Sequence, residues 1–565
     1  MLRSCARPGP SGRRAAVPGS VDSSLTGGTE GGSIFEGLSR RLGLETNPVI
    51  FYTSALLSLL FIAVTVAFTE RVAEVFTALS QQVLTTTGWF YVLGVTTFLI
   101  FLLWIAVSRH GRLRLGADHD RPEYGNFAWF GMLFAAGIGT ILMFWGVAEP
   151  LSHFAEPPPM GDVQPRTGAA AEQAMNFTLY HFGLHTWSIF ALPALGFAFF
   201  SYRRGLPMRV SSVLHPLLGD RIHGRIGHAV DIVAVLGTLF GVATSLGLGT
   251  LQINGGLNYL TGIGEELSAQ VAIIASITVI AVVSVALGLD KGIRRLSNAN
   301  IVMAIALLVF VLAFGPTLLL LRAMVESTGN YLTDLPRLAF WTDALANTGW
   351  QNTWTAFYWA WTITWAPFVG IFIARISKGR TIREFVLGVL FLPTAFTVIW
   401  FTTFGYSAID LDLQQGGQLS ETITADTDNV PASLFMFLEN FPAAGLVSML
   451  AVLIVVIFFT TSSDSASFVI DMLCSSDVSD APPTRQRVFW AVAEGAVAAT
   501  LLAAGGLEAL QEIITVLGFP FFILGLLVIY SLARGATADT RQARRTVEIP
   551  RRPDVPVDEA PDANR

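Results

Sequence analysis

Apolar and polar positions along the chain separate into long blocks. From Pro48 onward, stretches of about 20 residues with almost no charge recur, each divided from the next by a polar run. A helix of about 20 apolar residues crosses a hydrocarbon layer of roughly 30 Å. The blocks predict spans near 48–69, 86–107, 127–148, 172–201, 228–257, 268–288, 299–321, 350–374, 385–408, 442–470, 488–504 and 507–531. Inside lipid, helices satisfy their own backbone donors and acceptors, so the fold class is an all-α polytopic membrane protein with twelve transmembrane helices. Residues 1–47 are rich in Gly, Ser, Arg and Pro and read as a disordered tail. Residues 532–565 also read as a disordered tail, with mixed charge and prolines at 550, 553, 556 and 561.

The basic residues test the segmentation. All of the 35 Lys and Arg except Arg71, Arg166, Arg322 and Arg337 fall in the tails and in alternate loops. A wrong number of spans would scramble that alternation. The positive-inside rule therefore orients both termini to the cytoplasm and places the chain in the cell inner (plasma) membrane. The loop 409–430 holds five acids and no base, as an external loop does.

Composition agrees: 52% of residues are hydrophobic and 13% charged. A soluble domain carries about a quarter charged residues, so an ordinary soluble enzyme is excluded. No basic stripe with interleaved aromatics indicates nucleic acid. Cys5 and Cys474 form neither a disulfide framework nor a metal site.

Two spans differ from plain lipid-facing helices. The third carries Gly131, Gly137, Gly139 and Gly146, and the Gly137-Ile138-Gly139 cluster predicts an unwound, site-forming stretch. For Gly131 and Gly146, close helix packing is an equal alternative. Five spans later, residues 341–365 hold six of the thirteen tryptophans. Trp354, Tyr358, Trp361, Trp365, Phe368 and Phe372 share one helical face. Special helices at corresponding places in successive five-helix units are the pattern of an inverted-repeat transporter. Stacked rings in a dry cavity attract a poorly hydrated cation such as a quaternary ammonium, at ~2 kcal/mol or more per desolvated contact. Packing alone accounts for such a stripe equally well.

Five strings then carry a resemblance. They are Phe144-Trp-Gly-Val-Ala-Glu-Pro150, Phe240 to Asn254, Phe357 to Gly370, Ile373 to Phe385, and Phe458-Phe-Thr-Thr-Ser-Ser-Asp-Ser465. On these the chain resembles the betaine/choline/carnitine transporter family. The resemblance implies two leading helices (48–126) and two inverted five-helix repeats (127–321 and 350–531) joined by an external segment (322–349), a leucine-transporter-like core. It also implies a homotrimer that moves small zwitterionic or quaternary ammonium solutes, with no cofactor beyond co-transported Na⁺ or H⁺.

Carried over by position, the substrate contacts fall on Phe182, Trp187 and Phe190 in the fourth span. In the eighth they fall on Trp361, Thr362, Trp365 and Phe368, and in the third on Gly137, Ile138, Gly139 and Thr140. The chain departs from the family pattern at Phe182, Phe190, Thr362 and Thr140. One indole face and two polar tips are lost, and hydroxyls are gained. The departure weakens a cation cage and admits ectoine, proline or another small zwitterion as the solute. For Na⁺ the resemblance points to the hydroxyls of Thr461 and Ser462 with the carbonyls of Phe458, Ala135 and Ile138. A bond from each hydroxyl back to its own helix is the plain alternative.

Asp464 and Asp471 are seven apart, and charge at that depth requires a partner. Arg375 is expected to pair with Asp464 as a gate. Glu149 reads as a helix terminus rather than a ligand. A membrane enzyme built on Ser463, Asp464 or Ser465 with His181 or His185 lacks a nucleophile elbow and metal-spaced histidines.

Overall fold

A computed structural model describes residues 44–137, 140–287, 290–475 and 483–548, together with residues 37, 39 and 41. The described residues are mostly helical and joined by short loops, with no strand among them and one isolated bridge between Arg114 and Thr381. Among the described residues, nine helices are long and apolar enough to cross a membrane, and a bent pair makes a tenth candidate.

The principal helices are α1 (Pro48–Ala67), α2 (Thr69–Val107), α3 (Asn126–Gly137), α4 (Thr140–Ala155), α5 (Gly168–Phe182), α6 (Leu184–Ala198), α7 (Arg225–Thr261), α8 (Leu267–Leu287), α9 (Asp290–Phe314), α10 (Thr317–Ala339), α11 (Phe357–Thr364), α12 (Ala366–Ile376), α13 (Ile382–Gln414), α14 (Ala444–Cys474) and α15 (Thr484–Glu548).

Several boundaries differ from the sequence reading, each for a local reason. The polar run 70–85 is helical, so α2 continues for 39 residues, about 58 Å at 1.5 Å per residue. The seventh span ends at Phe314 because Gly315-Pro316 interrupts it, and α10 then packs Leu320, Ala323, Ser327 and Tyr331 inward along one face. The fourth span divides at Gly183, where a Cβ would meet the Leu179 carbonyl at 2.4 Å and the Tyr331 hydroxyl at 2.7 Å. That hydroxyl accepts the Leu184 N–H at 3.0 Å, capping the break.

The last two predicted spans lie in the single element α15, kinked at Gly505-Gly506. Gly506 has φ +59°, a conformation glycine adopts at no steric cost. The tail read as disordered from 532 is instead helical to Glu548; its four prolines lie outside the described residues.

α7 runs through the centre, with all but a few positions between Ala234 and Gly256 buried. Its glycines let neighbours approach closely: a Cβ on Gly249 would sit 1.6 Å from the Phe459 ring of α14. Small residues at such crossings are the usual means of close packing in membrane bundles. Gly146 packs likewise, with a Cβ meeting Trp400 Nε1 at 2.9 Å, whereas Gly131 has open space.

Candidate functional site

The eighth predicted span is where the helix geometry is most disturbed. It opens with a π-helical turn, Asn352–Ala356, and bends by 55° between α11 and α12. Pro367 follows the bend: it lacks an N–H and its ring clashes with the preceding turn. Trp365 stands at the junction, and its N–H turns to the Thr362 carbonyl at 3.2 Å. The Thr364 hydroxyl donates to the Trp361 carbonyl at 2.7 Å, and the Thr362 hydroxyl donates to the Tyr358 carbonyl at 2.7 Å.

At this bend one residue of α7 holds both indoles. Ser245 Oγ accepts Trp361 Nε1–H at 2.9 Å and Trp365 Nε1–H at 3.0 Å, and donates to the Gly241 carbonyl at 3.1 Å. Trp365 Nε1 is also 3.0 Å from that carbonyl. Ser245 lies within one of the family-like strings, yet a serine in an apolar helix gives no sequence signal that two tryptophans converge on it. Gly241 permits the approach, because a Cβ there would meet Thr364 Oγ1 at 2.5 Å and the Trp365 ring at 3.2 Å.

The other predicted contact residues separate into groups. Trp361 stacks on Phe357 (5.7 Å, 18°) and Trp365 meets Phe368 edge-on (5.5 Å, 69°). Trp187 and Phe190 form an edge-on pair on α6 (5.5 Å, 65°). Phe182, beside the Gly183 break, stacks on Phe401 (4.7 Å, 16°) and meets Tyr358 edge-on (4.9 Å). Phe190, Trp365 and Phe368 keep part of their surface open, and Phe182, Trp187, Trp361 and Thr362 are buried. Among the described residues, no ring pair joins Trp187 or Phe190 to Trp361, Trp365 or Phe368. Helices α6 and α12 nevertheless pack together, with Gly370 against Ala194 and Phe197. An apolar cavity of about 40 Å³ lies elsewhere, between Pro193, Phe197, Ile363, Phe521 and Val528, and no predicted contact residue lines it.

The glycine stretch is described at its flanks only. Gly137 closes α3 and Thr140 opens α4; Ile138 and Gly139 lie outside the described residues. The first turn of α4 is held from two sides. Trp400 Nε1 donates to the Leu142 carbonyl at 2.9 Å, and Gln252 Nε2 donates to the Met143 carbonyl at 2.9 Å.

Of the predicted Na⁺ ligands, Ala135 lies in α3, while Phe458, Thr461 and Ser462 lie on α14. Thr461 Oγ1 donates to the Phe458 carbonyl at 3.0 Å, which is the bond back to its own helix.

The expected gate has a partner that sequence reading missed. Asp464 Oδ1 pairs with Arg487 Nη2 of α15 at 3.3 Å. Arg375, the residue expected to make that pair, lies over the Phe468 ring at 5.6 Å, and Arg487 lies over the same ring at 5.4 Å. Buried acids continue around this end: Glu494 accepts from the Ser463 hydroxyl at 2.7 Å, and Asp471 accepts from Gln486 Nε2 at 2.8 Å.

A broken aromatic helix clamped by a central glycine-rich helix is thus joined to a hydroxyl-bearing helix and a charged end. A family model described as BCCT, betaine/carnitine/choline family transporter, matches residues 49–541. The chain belongs to the betaine/carnitine/choline transporter family. BCCT relatives include the ectoine/glycine betaine/proline transporter EctP of Corynebacterium glutamicum, 47% identical over 90% of this chain and 83% of that protein. The glycine betaine transporter OpuD of Bacillus subtilis is 43% identical over 83% of this chain and 90% of its own length. The glycine betaine transporter of Acinetobacter baylyi is 41% identical over 89% and 75%. As a BCCT protein the chain is a multi-pass membrane transporter.

Proposed function

We propose that the chain takes up a small zwitterionic compatible solute by alternating access, with glycine betaine as the first candidate and Na⁺ as the coupling ion. The observation that carries this reading is the double indole clamp. Ser245 and Gly241 take up the polar edges of Trp361 and Trp365, so these residues offer a guest only their π surface. A π surface suits a trimethylammonium head, which cannot donate hydrogen bonds. The Thr362 hydroxyl spends its hydrogen on the Tyr358 carbonyl and retains only acceptor capacity.

Ectoine or proline is the second reading, favoured by the substrates for which the Corynebacterium relative is named. For the ion, a cation between Thr461 Oγ1 and the Phe458 carbonyl would exchange one hydrogen bond for two oxygen ligands. Coupling to H⁺ is the alternative. The reading includes cytoplasmic termini, twelve spans with an inverted repeat, and a homotrimer.

The deciding measurement is uptake of labelled betaine, choline, carnitine, ectoine and proline in a transport-deficient host, with Na⁺ replaced by K⁺. Betaine uptake that disappears in K⁺, and loses its Na⁺ dependence in Thr461→Ala and Ser462→Ala, is the expected result. Uptake that persists in K⁺ and follows the proton gradient would replace Na⁺ with H⁺. Transport of ectoine but not betaine would remove the cation cage.

A further inference from the structure

Away from the indole clamp and the Asp464–Arg487 pair, a further group of polar side chains is buried. Glu149 and His153 lie one turn apart on α4, so they share a face, and His181 lies in the last turn of α5. All three are at most 1% exposed. The sequence reading took Glu149 as a helix terminus, but α4 continues past it and past Pro150 to Ala155.

Glu149 Oε1 lies 2.7 Å from His181 Nδ1 and 3.3 Å from His153 Nε2. The second contact lacks hydrogen-bond geometry, and neither ring nitrogen of His153 has a hydrogen-bond partner. An unsatisfied buried polar group costs about 1–3 kcal/mol, so a fully buried imidazole in this state requires an explanation.

We propose that Glu149, His153 and His181 bind a divalent transition-metal cation of the zinc class. One ligand atom from each residue falls within 4.8 Å of the others. A tetrahedral ion with legs of about 2.0–2.1 Å holds its ligand atoms about 3.3 Å apart, the separation already present between His153 and Glu149. Two imidazoles and one carboxylate suit Zn²⁺, whereas Mg²⁺ and Ca²⁺ take oxygen sets.

The outer shell is also in place. His181 Nε2 bonds Thr355 Oγ1 at 2.8 Å, which orients Nδ1 towards the site. The Trp354 ring lies 4.5 Å from the His153 ring at 67° and the Trp350 ring 5.1 Å away at 49°, so two indoles pack around this imidazole and fix its place. On binding, the His181–Glu149 hydrogen bond opens by a few tenths of an ångström and the ring proton of a neutral His181 moves from Nδ1 to Nε2, which then donates to Thr355 Oγ1. The ion then ties α4 to α5 and, through Thr355, to the turn that leads into α11.

The test uses the full chain purified in detergent through a tag other than polyhistidine, stripped with a chelator and titrated with Zn²⁺ alone. One Zn²⁺ per chain and a raised melting temperature are expected. His153→Gln and His181→Gln should each weaken binding more than tenfold. Thr355→Val, which keeps all three ligands, should weaken it about 10–100-fold. If the histidine variants do not fold, Thr355→Val decides. The proposal is overturned if the wild-type protein shows no saturable Zn²⁺ binding, or if it and Thr355→Val bind alike. Transport is not the readout, so a failed transport reading leaves this result standing.

Discussion

Ser245 accepts two indole N–H groups and donates its own proton, so one hydroxyl fixes two rings of the predicted solute site. Removing it strands the Trp361 donor, at about 1–3 kcal/mol, while Trp365 Nε1 keeps the Gly241 carbonyl. Ser245→Ala is expected to raise the KM for the transported solute about tenfold or more, with the protein still present in the membrane; Ser245→Thr, which keeps the oxygen, should recover part of the loss. Uptake kinetics normalised to surface amount check this. An unchanged KM in Ser245→Ala would detach the clamp from solute binding. The sequence marked Trp361 and Trp365 through their spacing, but Ser245 is 116 and 120 residues away from them. Contacts at that separation leave no trace in local periodicity. The gate shows the same limit: Asp464 was legible as a buried charge needing a base, while its pairing with Arg487 depended on how α14 and α15 cross.

At the scale of elements, breaks decide more than spans. Gly506 and Gly445 show how the same substitution changes sign with backbone conformation. Gly506 has φ +59° and ψ −132°, outside the left-handed helical well, with nothing within 4 Å of a built Cβ, so Gly506→Ala carries a backbone cost of about 1–3 kcal/mol and no packing cost. Gly445 sits in the first turn of α14, also with open space, and Gly445→Ala should be neutral or stabilising by up to about 1 kcal/mol. Thermal unfolding in one detergent should lower the melting point of the first variant and hold or raise that of the second. Equal shifts of both would reject the assigned kink. Apolar block length made most of the helices legible in the sequence. The breaks at Gly183 and Trp365 were not, because a glycine or proline inside an apolar run marks either a break or a tolerated kink. Which one results depends on neighbours such as the Tyr331 hydroxyl.

Across the whole molecule, charge segregates and the far end of α15 is tied into it. Asp539 pairs with Arg203 Nε at 2.6 Å and with Arg204 Nη2 at 2.5 Å, and Arg203 reaches Asp118 at 2.7 Å. Thr540 adds a bond to His110 Nδ1 at 2.9 Å. These contacts join the tail helix to two of the basic loops. Asp539→Asn is expected to speed proteolysis within 534–548 several-fold while leaving the melting transition of the bundle close to wild type. Limited digestion of the detergent-purified protein followed by mass spectrometry measures it. Cleavage unchanged from wild type would show that the helix end is held by other contacts.

The membrane class, the placement of apolar blocks, the basic asymmetry and the aromatic helix were all present in the residue order. Each depends on composition over roughly 20 neighbouring positions, which the lipid solvent reads directly. Folding in three dimensions decided which hydroxyl holds the indoles, which arginine meets Asp464, where the helices break, and that Glu149, His153 and His181 converge. Those outcomes depend on side chains far apart in sequence meeting at a few ångströms, where one missing Cβ or one fixed hydroxyl determines what can approach.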